Sequence, residues 1–177
     1  KREHAQDIHG RATAAFERMR ADFDVVVAGD GEEAIFVALR PDAPSIVDAD
    51  DRHSALFLTD ARLNELPPPA RHLVDMSSYE YFVENHSATS LIAQLGCPFN
   101  CGFCGGRMSS MLRMIRTRDV ASIIEEIRSL YVTYGYTGFM FYDDELNVNK
   151  DVLSLMRQLI ALQAELGTEF SLRGFIK

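Results

Sequence analysis

Thr89-Ser90-Leu91-Ile92-Ala93-Gln94-Leu95-Gly96-Cys97-Pro98-Phe99-Asn100-Cys101-Gly102-Phe103-Cys104 runs from a largely apolar stretch straight into three thiols. The first seven residues read as a strand, and Gly96 ends it. The thiols follow at the spacing Cys-x3-Cys-x2-Cys, and the whole chain has 3 cysteines. Thiolates are the ligands of [4Fe–4S] clusters, and a short loop lets several converge on one cluster. Glycines at 96, 102, 105 and 106 permit the tight turns such convergence needs. Three thiolates leave one iron without a cysteine from this chain. An open metal position is where a substrate binds, on the logic that separates catalytic from structural zinc sites. A structural zinc site fits less well. It would need a fourth ligand, for which His86 is the nearest upstream histidine, and it more usually shows paired Cys-x2-Cys units. A ferredoxin-like carrier would want a fourth cysteine. A disulfide framework would show an even number spread along the chain, so the cluster of thiols instead fits a reducing compartment.

Downstream the pattern is regular. Thr117 is placed to cap a helix whose apolar positions are Val120, Ile123, Ile124, Ile127, Leu130, Tyr131 and Tyr134, with Gly135 as its stop. Gly138–Tyr142 reads as a second strand, ending in Asp143-Asp144-Glu145. Asn149 is placed to cap a helix through Val152, Leu155, Met156, Leu159, Ile160 and Leu166, stopped by Gly167, and Phe170–Phe175 opens a third strand. Strand, helix, strand, helix, strand predicts a parallel sheet with right-handed crossovers. Chemistry in such sheets and barrels gathers at the carboxyl ends of the strands, where the cysteine loop and the Asp-Asp-Glu run both fall. The two are expected to meet in space. Arg173, among apolar neighbours Leu172 and Phe175, is expected to be buried and to need a carboxylate partner.

The Cys-x3-Cys-x2-Cys loop after a strand, with aromatic Phe103 just before the last cysteine, resembles the radical S-adenosylmethionine superfamily over residues 89–177. The resemblance implies that Cys97, Cys101 and Cys104 hold a [4Fe–4S] cluster whose open iron is chelated by the amino and carboxylate groups of S-adenosylmethionine. An electron from the reduced cluster would cleave the sulfonium to methionine and a 5′-deoxyadenosyl radical. It also implies a partial (β/α)6 barrel, of which residues 87–177 hold the first half. The family places a short polar motif for the amino group after the second strand; here Asp143-Asp144-Glu145 departs from the common Gly-Gly-Glu form. An ammonium wants acceptors, and carboxylates with strand-end carbonyls supply them. S-adenosylmethionine contacts are thus expected at Phe103, Asp143, Asp144 and Glu145. Arg173 would meet a ligand carboxylate, or Asp143 or Glu145.

Upstream, Ala12, Ala15, Phe16 and Met19 recur at helical spacing, and Phe23–Ala28 reads as a buried strand ended by Gly29-Asp30-Gly31-Glu32. Ala34, Ile35, Ala38 and Leu39 supply the next helical stripe. This order suggests the last unit of a parallel α/β domain over residues 1–40. Residues 41–86, broken by Pro41, Pro44 and Pro67-Pro68-Pro69, read as a connector with a small hairpin of Ser45–Val47 and Ala55–Leu58. Gly29-Asp30-Gly31-Glu32 resembles the Gly-Glu-Gly-Glu turn of the Rossmann-like cobalamin-binding domain found in one large radical S-adenosylmethionine subgroup, and Leu66–Arg71 resembles its connector. The resemblance implies that Gly29, Asp30, Gly31 and Glu32 lie at the edge of a cobalamin site. His9, in Asp7-Ile8-His9-Gly10, lies too near the end of such a domain to be a cobalt ligand and reads as a surface histidine.

The formal net charge is -8 and no basic run occurs, which argues against a nucleic-acid footprint. No apolar stretch approaches the roughly 20 residues that span a bilayer, and no segment resembles a secretion signal, so the cytoplasm is the expected compartment. The chain opens on Lys1 and stops at Lys177 after an apolar run, as a piece of a longer protein would. The expected function is a radical S-adenosylmethionine enzyme, cobalamin-dependent and transferring methyl to an unactivated carbon of a small molecule or peptide. A low-potential flavodoxin or ferredoxin would supply electrons. The alternatives are a radical enzyme without cobalamin and an iron–sulfur electron carrier.

Overall fold

The computed structural model describes residues 11–106 and 109–176. They form two compact units: one of residues up to Thr59 together with Pro98–Met114, the other of Asp60–Cys97 together with residues from Ile115 onward. The histidine reading at Asp7–Gly10 lies outside the described residues.

In the first unit, helix α1 (Arg11–Asp22) precedes strand β1 (Val26–Gly29), helix α2 (Ala34–Ala38) and strand β2 (Ile46–Ala49). β1 and β2 pair in parallel, Val26 opposite Ile46 and Gly29 opposite Ala49. The hairpin expected from Ser45–Val47 and Ala55–Leu58 does not form, because Ile46–Ala49 pairs with β1 and residues 55–58 are not a strand. In this arrangement Ala34 of α2 and Val47 and Ala49 of β2 make one buried apolar cluster. β1, α2 and β2 lie on both sides of residue 40 in one unit, and the division between the two compact units falls after Thr59. Gly29 fixes the end of β1. Its φ is +109°, and a Cβ there would stand 2.5 Å from the Ala49 carbonyl carbon, so only glycine fits.

In the second unit a four-stranded sheet runs β3 (Phe82–Val83), β4 (His86–Leu91), β7 (Gly138–Phe141), β8 (Ser171–Gly174). β4, β7 and β8 are parallel, with Ala88 opposite Gly138 and Met140 opposite Arg173; β3 joins β4 as an antiparallel hairpin. A separate two-residue ladder pairs β5 (Gln94–Leu95) with β6 (Arg116–Thr117) antiparallel. Helices α5 (Val120–Tyr134) and α6 (Val152–Leu166) make the crossovers, and α3 (Asp60–Glu65) is short; the equally short α4 (Ser110–Arg113) belongs to the first unit. β7 is buried along its whole length, as a central parallel strand covered by helices should be. The stripes of α5 and α6 (Ile123, Ile127, Leu155, Leu159) pack with Leu91, Phe139 and Phe141 into one core. Gly135 and Gly167 end the two helices in the left-handed conformation, as the sequence predicts.

Two helix starts differ from expectation. The residue preceding α5 is Asp119, not Thr117, because the Thr117 amide is taken by the Asp60 carboxylate at 2.7 Å and Thr117 itself lies in β6. Asp151 precedes α6, and Asn149 acts one turn earlier by accepting the Asp151 amide at 2.9 Å. Among the described residues no helix is long and apolar enough to cross a membrane.

Candidate functional site

The carboxyl ends of β4 and β7 meet at Asp143. Its side chain is buried, 1% exposed, and accepts from the Ala93 amide at 3.0 Å and from the Gln94 amide. Burial pushes this carboxyl up from its ordinary value, against the opposing pull of the Ala93 and Gln94 amides, its own amide and Arg118. Asp143 therefore clamps the segment that leads into Gly96 and Cys97. The Asp-Asp-Glu run and the approach to the cysteine loop do come together here. The three acids nevertheless divide in role. Asp143 is occupied by backbone, Asp144 is exposed, and Glu145 is buried.

Glu145 is the acid left with capacity. Its carboxylate oxygen Oε1 is buried and has no hydrogen-bond partner, and the amide oxygen of Gln94, also buried, has none either. The two residues touch: the Gln94 amide nitrogen donates to the Glu145 carbonyl at 2.9 Å. Two buried acceptors without donors are costly unless something supplies N–H or O–H groups. The ammonium of an amino-acid ligand carries three such donors. The residues at this strand end thus fit S-adenosylmethionine by the chemistry they lack.

Cys97 belongs to the sheet unit and Cys101 and Cys104 to the other. Cys97 and Cys101 are half-buried and Cys104 is exposed; none forms a disulfide. A tight turn is closed by the Cys104 amide donating to the Cys101 carbonyl at 3.0 Å, and added Cβ atoms at Gly102 and Gly105 would meet nothing within 4 Å. The loop has room at its tip, and three thiols are the donor set a [4Fe–4S] cluster takes. Among the described residues no three His, Cys, Asp or Glu side chains stand together as a metal-holding group. Phe103 points outward at 94% exposure. The loop is closed at its base by the Arg113 guanidinium donating to the Pro98 carbonyl. His86, the nearest histidine for a zinc reading, sits at the amino end of β4 and meets the Thr137 hydroxyl at 3.0 Å. At about 3.3 Å per residue the length of β4 separates it from the cysteine end.

Arg173 is exposed on β8 rather than buried, because its side of that strand is not covered by a helix in the described residues. Its need for a buried carboxylate partner disappears with the burial. In the turn after β1, Gly29 is explained by its contact with the β2 backbone, Asp30 is half-buried, and Gly31 and Glu32 are exposed. They sit at a strand's carboxyl end, where ligands of parallel sheets bind.

Three positions escape a reading by motif. Asp50, buried after β2, accepts from the Ser109 hydroxyl at 3.0 Å and the Met111 amide at 2.7 Å, and so ties down the chain that follows the cysteine loop. Glu126, buried on α5, pairs with Arg71 at 2.5 Å and Arg118 at 2.7 Å. Gln94 is the third. Its polar side chain in an apolar run is the only signal the sequence offers for it.

Residues 91–176 match the model of the radical SAM superfamily. The chain is 32% identical over 88 residues to an uncharacterized methyltransferase of Pyrococcus horikoshii, covering 50% of this chain and 18% of that protein. It is 28% identical over 85 residues to an uncharacterized protein of Methanothermobacter thermautotrophicus, covering 43% of this chain and 32% of that one. Among solved structures it is similar to the radical S-adenosylmethionine methyltransferase TsrM of Kitasatospora setae, solved with cobalamin and a [4Fe–4S] cluster bound. There the identity is 21%, the TM-score 0.40, and the coverage 45% of this chain and 14% of that one. The chain therefore spans less than a third of the length of these relatives. All three cysteines, the clamp at Asp143 and the parallel strands β7 and β8 fall inside the residues that match the radical SAM superfamily.

Proposed function

We propose that this chain supplies the cluster-binding and S-adenosylmethionine-binding part of a radical S-adenosylmethionine enzyme. The observation that carries the reading is the Cys97-Cys101-Cys104 spacing inside the residues that match the superfamily. When bound, the cluster supplies the electron that cleaves the sulfonium of S-adenosylmethionine to methionine and a 5′-deoxyadenosyl radical. The chain's own residues do the rest. Cys97, Cys101 and Cys104 act as thiolate ligands. Asp143 holds the Ala93–Gln94 segment still, and Glu145 offers a buried carboxylate oxygen to the ligand's ammonium; Phe103 and Asp144 are the further ligand contacts that the resemblance to the superfamily implies. The electron donor is a low-potential flavodoxin or ferredoxin.

The reaction is methyl transfer with cobalamin as the methyl carrier, to a carbon of a small molecule or peptide. What supports this finer reading is the order of parts: a β-α-β unit bearing Gly29–Glu32, a proline-rich connector, then the cysteine loop, together with a relative named as a methyltransferase. A second reading, a radical enzyme without cobalamin, is favoured by Gly29, whose requirement for glycine is met by packing against Ala49 alone.

Anaerobic reconstitution of the full-length protein, followed by S-adenosylmethionine and reductant, is expected to yield 5′-deoxyadenosine with about four irons per chain. Bound zinc, or a filled cluster with no 5′-deoxyadenosine, would overturn the assignment. A corrinoid absorption band separates the two finer readings.

A further inference from the structure

We infer that Gln94 is a second acceptor for the ammonium of the bound sulfonium amino acid, acting beside Glu145. The inference rests on the function proposed above and adds a residue that the superfamily motif does not mark. Gln94 is 1% exposed, at the carboxyl end of the segment that runs from β4 to Cys97. Its two amide groups have different fates. The nitrogen donates to the Glu145 carbonyl at 2.9 Å, which fixes the side chain's orientation. The oxygen is left buried with no donor. On the neighbouring residue, Glu145 Oε1 is in the same condition.

Leucine at 94 would be cheaper for the fold alone, since it would bury no unsatisfied acceptor. The side chain's polarity makes sense if a donor arrives from outside. These two orphaned atoms are both acceptors, so the partner that they lack is a donor. One carboxylate and one amide oxygen match a primary ammonium, which presents three N–H groups and prefers at least one charged partner. Asp143 cannot take this place, because its oxygens already accept the Ala93 and Gln94 amides.

The test is the dissociation constant of S-adenosylmethionine, measured by equilibrium dialysis on the anaerobically reconstituted full-length protein, with iron content and melting temperature followed in parallel. Gln94→Leu is expected to weaken binding about tenfold, the loss of one hydrogen bond to a charged group, with iron content unchanged. Gln94→Glu keeps the acceptor and gives up the donor to the Glu145 carbonyl, and it is expected to bind within about threefold of the wild type. Should leucine prevent folding, Gln94→Met, of similar length and without the amide, carries the same comparison. Undiminished affinity in Gln94→Leu overturns the inference. So does an equal loss in the Leu and Glu variants, which would assign Gln94 to holding Glu145 only. A wild-type protein with full iron that binds no S-adenosylmethionine would instead sink the underlying function, so the two failures are told apart.

Discussion

Asp143 opens the acidic run that departs from the common Gly-Gly-Glu form, and its surroundings explain why an acid suits this place. A glycine there would leave the Ala93 and Gln94 amides without the acceptor they now find in its carboxylate, one of them at 3.0 Å. One oxygen serves both amides, so Asp143→Asn can keep the clamp with its amide oxygen. The carboxyl is held above its ordinary value chiefly by burial, and the folded protein therefore keeps this proton to higher pH than the unfolded chain. That contribution is complete below the unfolded value of about 3.9 and is lost as pH rises through the folded one. Between about pH 4 and 7 the stability of Asp143→Asn relative to wild type should rise, as read from urea midpoints across that range. A difference that is flat with pH would mean the carboxyl is not raised. Asp143→Ala removes the clamp as well and should cost about 2 kcal/mol or more at any pH, because two buried amides lose their partner. The sequence marked this residue as one of three acids after a strand but could not divide their roles. Which acid turns inward depends on the amides of a segment 50 residues away in the chain.

The elements divide in the same way between local and distant causes. α5, α6, β7 and β8 were legible because period-3.6 stripes, an all-apolar strand and glycine stops are written within each segment. β2 was misread because a parallel partner lies across a helix, and nothing local to Ile46–Ala49 distinguishes it from an arm of a hairpin. Gly29 registers that partner: Gly29→Ala would force a side chain onto the Ala49 backbone at a positive φ. It should cost the first unit about 2 kcal/mol or more, seen as an earlier loss of amide-exchange protection in β1 and β2 than in β4 and β7. The stretch of the connector just past the three prolines was also illegible, since Arg71 is anchored by an ion pair with Glu126 of α5. Glu126 occupies a buried position on a helix whose stripe reads as aliphatic, with Arg118 as its second partner at 2.7 Å. Removing the carboxylate leaves two arginines without it in a poorly solvated place. Glu126→Ala should destabilise by about 3 kcal/mol, and Glu126→Gln by less because one acceptor oxygen remains. Equal melting temperatures for wild type and Glu126→Ala would reduce the network to a surface pairing.

For the molecule as a whole, the three proposed cluster ligands and the buried core of the sheet unit are disjoint sets. The core of the sheet unit is aliphatic and aromatic, with Leu91, Ile123, Phe139, Phe141, Leu155 and Leu159 among its buried members and no cysteine in it. The cysteine loop is carried by its own bonds, from Arg113 to Pro98 at the base and from Ser109 and Met111 to Asp50 beyond it. Function and stability should therefore separate in a single variant. Cys101→Ala removes one of three thiolates, and two rarely hold a cluster, so iron per chain should fall close to zero and 5′-deoxyadenosine formation with it. The buried aliphatic contacts are untouched. The far-ultraviolet circular dichroism of the metal-free variant should then overlay that of the metal-free wild type, with a midpoint within about 0.5 kcal/mol, the usual range for a change away from the core. Comparing both proteins without metal matters, because a cluster that binds only the folded state adds its binding free energy to the wild type alone. Full iron retention in Cys101→Ala would overturn the ligand set. A metal-free variant that melts far below the metal-free wild type would place Cys101 in the packing instead, and the division between chemistry and core would not hold.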